Sequence, residues 1–94
     1  MEKKTGMHII TSGRVQGVGY RYYALETARS LGLSGWVMNK DDGKVEMEVF
    51  GEEGKIQEFI AEMTRTDRTF AAEDFVSEDI GFDTGYKDFT IKFY

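Results

Sequence analysis

The apolar spacing of this chain changes period once, sharply, between residues 45 and 63. Val45, Met47 and Val49 alternate with Glu46 and Glu48, the two-residue repeat of a half-buried strand. Ile56, Phe59, Ile60 and Met63 then fall at i, i+3, i+4 and i+7, which predicts a helix over residues 53–66 with one apolar stripe. A strand that feeds directly into a helix, each apolar on one side only, must bury both against a second layer.

The remaining elements follow the same logic. Proline is absent, so glycine supplies the punctuation. Residues 8–13, with Ile9 and Ile10 before Gly13, read as a first strand. Leu25, Ala28 and Leu31 recur at helical spacing and predict a helix over about residues 21–31, ended by Gly32. Residues 34–40, around Trp36 and Val37, read as a second strand, and Asp41-Asp42-Gly43 as the turn into the third. Residues 72–80 form a weaker strand. Residues 88–94 close the chain, with Phe89, Ile91 and Phe93 alternating toward a core and a break expected around Gly81–Gly85. The order β-α-β-β-α-β suits a ferredoxin-like two-layer α+β sandwich, one mixed sheet with both helices on one face. Its first two strands run parallel through a right-handed crossover with the third between them. Their ends then share one edge of the sheet, roughly 10 Å apart.

Ninety-four residues allow a single domain over 1–94, with residues 1–6 expected as a flexible tail. With 40% hydrophobic and 31% charged residues the composition is that of an ordinary globular domain, not a disordered chain. There is no cysteine and one histidine, His8, which removes thiol chemistry, disulfides and multi-histidine metal sites. No apolar run reaches about 18 residues and the start lacks a leader-like apolar segment, so a cytoplasmic, membrane-free protein is expected, as a monomer. The net charge of −5 is unsuited to nucleic acid or an anionic membrane. Its distribution is uneven: residues 1–40 carry six basic and two acidic side chains, residues 41–94 six and fifteen. An anion would therefore be met in the first forty residues.

Within those forty lies Gly13-Arg14-Val15-Gln16-Gly17-Val18-Gly19-Tyr20-Arg21. Its glycines permit positive φ and let amides converge on one point, in front of a helix N-terminus that favours negative charge. Helical side chains lean toward the helix start, which brings Arg21 back over the loop. The spacing is neither that of a nucleotide P-loop nor a dinucleotide fingerprint. On local features alone it fits a phosphate cradle or a tight strand-to-helix connection with a surface arginine.

The full string resembles the signature loop of the acylphosphatase family. A second motif of that family follows: Gly35-Trp36-Val37-Met38-Asn39, then Gly43-x-Val45 after three residues and Gly51 after five more. Two positions depart from the pattern, Thr11 for an aliphatic residue and Tyr20 for the commoner Phe; the added hydroxyl of Tyr20 must find a partner. The resemblance implies hydrolysis of a carboxyl–phosphate anhydride to carboxylate and inorganic phosphate. It implies that Arg21 binds the phosphate, that the amides of Val15, Gln16, Gly17, Val18, Gly19 and Tyr20 surround it, and that Asn39 orients the attacking water. No metal or cofactor is expected, and the partner is a small acyl phosphate.

Other readings of single residues stay beside this one. His8 lies six residues before Arg14, nearly 20 Å of extended chain, and is expected as a surface or edge histidine, not a base. Asp41 and Asp42 fit a turn better than a carboxylate pair. Arg14 is either an electrostatic screen for incoming phosphate or a solvated loop residue. Tyr22 and Tyr23 line a substrate entrance or pack their rings. The non-enzymatic alternative is a regulatory module that binds phosphate or acyl phosphate without turnover, and the ferredoxin-like fold favours neither side.

Overall fold

The computed structural model describes residues 3–65 and 69–93. Its elements are β1 (Lys4–Arg14), α1 (Tyr20–Ser30), β2 (Ser34–Asn39), β3 (Val45–Glu52), α2 (Glu53–Met63), β4 (Ala71–Asp79) and β5 (Phe89–Lys92). The five strands form one sheet in the order β4-β1-β3-β2-β5. β3 runs antiparallel to both β1 and β2, so those two are parallel and flank it, and β5 adds a parallel strand beyond β2. This is the expected ferredoxin-like α+β sandwich. The break between β4 and β5 falls where the glycines indicated.

The alternation in β3 is realised as expected: Val45, Met47 and Val49 are fully buried while Glu46 and Glu48 face the other side. Register aligns buried residues into rows. Ile9, Met47 and Val37 make one row across β1, β3 and β2, and Thr11, Val45 and Asn39 make the next. Over these rows α2 lays Ile56, Phe59 and Met63, all fully buried. Each such side chain withdraws about 1.5–3 kcal/mol worth of apolar surface from water.

Four expectations need correction. Residues 4–6 are not tail: β1 starts at Lys4, pairs with β3, and buries Thr5, whose hydroxyl donates to Asp79 at 3.0 Å. A polar residue satisfied across the sheet leaves no apolar signature, which hid the strand's beginning. The stripe of α1 is Tyr20, Ala24 and Ala28; Leu25 and Leu31 are only half-buried on its flank, because the small alanines are what let the helix approach the sheet. Of the two places expected for His8, surface or edge, the edge is wrong: it stands in the middle of an interior strand, partly exposed on the sheet face and paired with Glu46 at 2.7 Å. Phe93 follows the face of buried Phe89 and half-buried Ile91 yet is 68% exposed, one residue past the end of β5. Helix α2 ends at Met63, and Thr66 and Tyr94, the far ends of the expected second helix and last strand, lie outside the described residues.

Candidate functional site

At the end of β1 the chain turns tightly, Val15 N–H bonding Gly13 O at 3.1 Å, and the buried Val15 side chain anchors the loop to the core. Gly17 and Gly19 follow with φ of 74° and 80°. A Cβ at either would meet nothing within 4 Å, so these positions need glycine for backbone conformation and not for space. Gly19 is the N-cap of α1, and no side chain caps the helix there. The amides of Gln16, Gly17, Val18 and Gly19 find no acceptor among the described residues. The same loop and the start of α1, with its helix dipole, border a cleft of about 190 Å³ lined by Val15, Gly17, Gly19, Tyr20, Arg21 and Tyr22. The first turn of α1 carries no acidic residue that would compete with an anion.

Arg21 is the second residue of α1 and half-exposed at the cleft. It makes no ion pair with any described residue. Its guanidinium carbon lies 5.3 Å from the centre of the Phe93 ring, a cation–π contact that steadies the side chain without neutralising it. The exposed residue that follows β5 thus touches the side chain on which the cleft's positive charge depends.

Asn39 is the last residue of β2. It sits opposite Val45, which sits opposite Thr11, so it lies two strand spacings, about 10 Å, from β1 and on the face the helices cover. Its Oδ1 is buried and has no hydrogen-bond partner among the described residues. A buried acceptor left open is costly, about 1–3 kcal/mol, unless a ligand or water answers it.

The Gln16 side chain points away from the cleft. Its Nε2 donates to Lys40 O at 2.8 Å and to Lys44 O at 2.9 Å, across the turn that follows Asn39. On the other side of the loop, Thr69 Oγ1 donates to Val18 O at 3.2 Å. Sequence reasoning put Gln16 among the loop residues for its amide and missed this second use, because its partners are backbone carbonyls 24 and 28 residues away.

The two departures from the family pattern meet inside the protein. Tyr20 is 1% exposed, its ring edge-on to Phe70, and its hydroxyl donates to Met63 O at 3.0 Å, answering a terminal carbonyl of α2. Burial pushes the phenol well above its ordinary value, and the neighbouring Thr11 hydroxyl opposes part of that shift. Thr11 Oγ1 is fully buried and makes no regular hydrogen bond with any described residue.

The alternatives for other residues resolve on contacts. Arg14 is exposed and reaches Thr69 O at 3.4 Å, away from the cleft lining. Tyr22 is exposed and lines the cleft, whereas Tyr23 packs on Phe70 and donates to Glu62. Asp42 Oδ1 accepts from Lys44 N–H at 3.0 Å, the turn role expected for it. No three His, Asp or Glu side chains among the described residues gather into a metal cage, and no helix among them is long and apolar enough to cross a membrane.

Comparison with known proteins agrees along nearly the full length. The acylphosphatase family profile matches residues 7–91. An acylphosphatase of Thermotoga petrophila is 40% identical over 88 residues, covering 94% of this chain and 97% of that protein. The crystal structure of acylphosphatase from Bacillus subtilis superposes with a TM-score of 0.88 at 34% identity, covering 94% of this chain and 98% of that one. An acylphosphatase structure from Coxiella burnetii gives 0.87 at 31%, covering 95% and 93%.

Proposed function

Since the chain belongs to the acylphosphatase family and hydrolyses acyl phosphates, we propose that it does so without metal, through the glycine loop, Arg21 and Asn39. The transferred phosphoryl group sits in the cleft, its oxygens on the open amides of residues 16–19 and on the Arg21 guanidinium, which binds two oxygens at once. Loop amides, helix dipole and guanidinium are fixed before the substrate arrives, so charge on the equatorial oxygens is met without reorganisation. Asn39 Oδ1 accepts a hydrogen bond from water and holds it in line with the bond to the acyl oxygen.

Water oxygen then bonds phosphorus as the phosphorus–acyl oxygen bond breaks, and the electron pair leaves on the carboxylate. A carboxylate departs unprotonated, so no general acid is required. Asn39 is not basic, and the water proton passes to a phosphoryl oxygen. The observation that carries the reading is the open, buried Oδ1 of Asn39 on the sheet edge that also bears the loop. A site made only to hold phosphate has no use for such an acceptor.

The test is hydrolysis of benzoyl phosphate with a chelator present, for wild type, Arg21→Lys and Asn39→Ala. Wild type turns over undiminished by chelator. Arg21→Lys keeps the charge but loses the two-pronged contact, weakening competitive inhibition by inorganic phosphate and slowing turnover. Asn39→Ala loses about 10²–10³ in kcat, the scale of one catalytic hydrogen-bonding group, with phosphate inhibition unchanged. Loss of phosphate inhibition in Asn39→Ala would make that residue a ligand. Phosphate binding without turnover in wild type would make the protein a regulatory module.

A further inference from the structure

We propose that the Gln16 side chain is a positioning residue that sets the spacing between the phosphate loop and Asn39; this rests on the water-orienting role given to Asn39 above. One nitrogen, Nε2, reaches two carbonyls on either side of the β2–β3 turn, Lys40 O at 2.8 Å and Lys44 O at 2.9 Å. Both partners are acceptors, so the amide's orientation follows from chemistry: its NH₂ end must face the hairpin. Lys40 directly follows Asn39 in the chain. The hairpin end it grips is itself closed, by Lys40 N–H to Lys44 O at 2.8 Å and by Gly43 N–H to Lys40 O at 3.2 Å. The side chain therefore joins one stiff piece to another.

The loop needs such a brace because it spends few of its own groups on itself. Val15 N–H bonds Gly13 O, while the next four amides bond no acceptor among the described residues. Thr69 ties Val18 to the segment before β4, on the β1 side. Among the described residues, Gln16 alone makes a side-chain hydrogen bond from the loop to the hairpin that carries Asn39. Loop amides and Arg21 determine where phosphorus sits; Asn39 determines where the water sits. The distance between the two is set across the β1–β3–β2 rows and, among the described side chains that bond from the loop to the hairpin, by Gln16. Removing it leaves both halves intact and loosens their separation, so binding survives while in-line attack suffers.

The experiment is a double-mutant cycle on benzoyl phosphate hydrolysis: wild type, Gln16→Ala, Asn39→Ala and the double variant, with the inhibition constant for inorganic phosphate measured in each. Gln16→Ala is expected to lower kcat ten- to a hundredfold, about what an ångström-scale misplacement costs, with phosphate inhibition within about twofold of wild type. In the Asn39→Ala background the same substitution changes kcat by less than about twofold, because nothing oriented remains to misplace. Gln16→Glu, equal in size but without a donor for the two carbonyls, repeats the kcat loss and guards against a packing defect in the alanine variant. An equal loss in both backgrounds, or phosphate inhibition weakening in step with kcat, overturns the proposal. Wild-type turnover in Asn39→Ala alone overturns instead the role of Asn39, and is read from a different arm.

Discussion

Thr11→Val should make this protein more stable. The Thr11 hydroxyl is fully buried, in the row Thr11–Val45–Asn39, and has no regular hydrogen bond with any described residue. Withdrawing a hydroxyl from water without a partner costs about 1–3 kcal/mol in proteins. Valine has nearly the same shape, suits a strand equally well and replaces the hydroxyl by a methyl that the apolar surroundings accept. Part of the gain is offset, because the Thr11 hydroxyl lies beside the Tyr20 hydroxyl and keeps some polar contact there. A net stabilisation of about 1 kcal/mol remains, raising Tm by roughly 4–8 °C in a domain of this size. Urea titration at neutral pH reads it as a higher midpoint at unchanged slope. Destabilisation by 1 kcal/mol or more would refute the reasoning and mean that Thr11 and Tyr20 share a real hydrogen bond. In that event the loss would disappear in a Tyr20→Phe background.

Two further outcomes follow from the loop and its neighbours. The folded chain holds the Tyr20 proton to higher pH than the unfolded chain does, so the stability it contributes is complete below about pH 10 and declines as pH rises above that value. Tyr20→Phe should therefore flatten the alkaline fall of the urea midpoint above about pH 10 while lowering stability at neutral pH by about 1 kcal/mol, from the lost bond to Met63 O; an unchanged alkaline limb would count against it. Gly19→Ala meets no atom within 4 Å but forces alanine to φ near 80°, so it should cost about 1–2 kcal/mol in denaturation, with Gly19→Asn costing less. Equal losses for the two would point to a steric cause.

The strands and helices that carry the fold were readable because their periods are expressed by large apolar side chains: Val45, Met47 and Val49 for β3, Ile56, Phe59 and Met63 for α2. Reading failed where burial is achieved otherwise. α1 faces the sheet with alanines, which carry almost no apolar signal, and the leucines that do carry it lie on the flank. β1 begins with a threonine satisfied by Asp79 across the sheet. Phe93 alternates correctly and still leaves the core, because alternation reports a face and not where the strand ends. At the site, the glycines, Arg21 and Asn39 were visible because each is an unusual residue type for its place. Gln16 was visible only as part of a motif: its side chain bonds to main-chain carbonyls, and any sequence offers carbonyls everywhere.

The sheet order leaves β4 and β5 as the two open edges. β5 is four residues long and ends in Lys92, which makes it a poor template. β4 is nine residues long and largely exposed, a better template for strand addition by another copy. Along it stand Glu73, Asp74, Glu78 and Asp79 with no basic residue between them. Two copies brought edge to edge would set these carboxylates against their equivalents. Four of the fifteen acidic side chains of residues 41–94 thus double as a guard of this edge against aggregation.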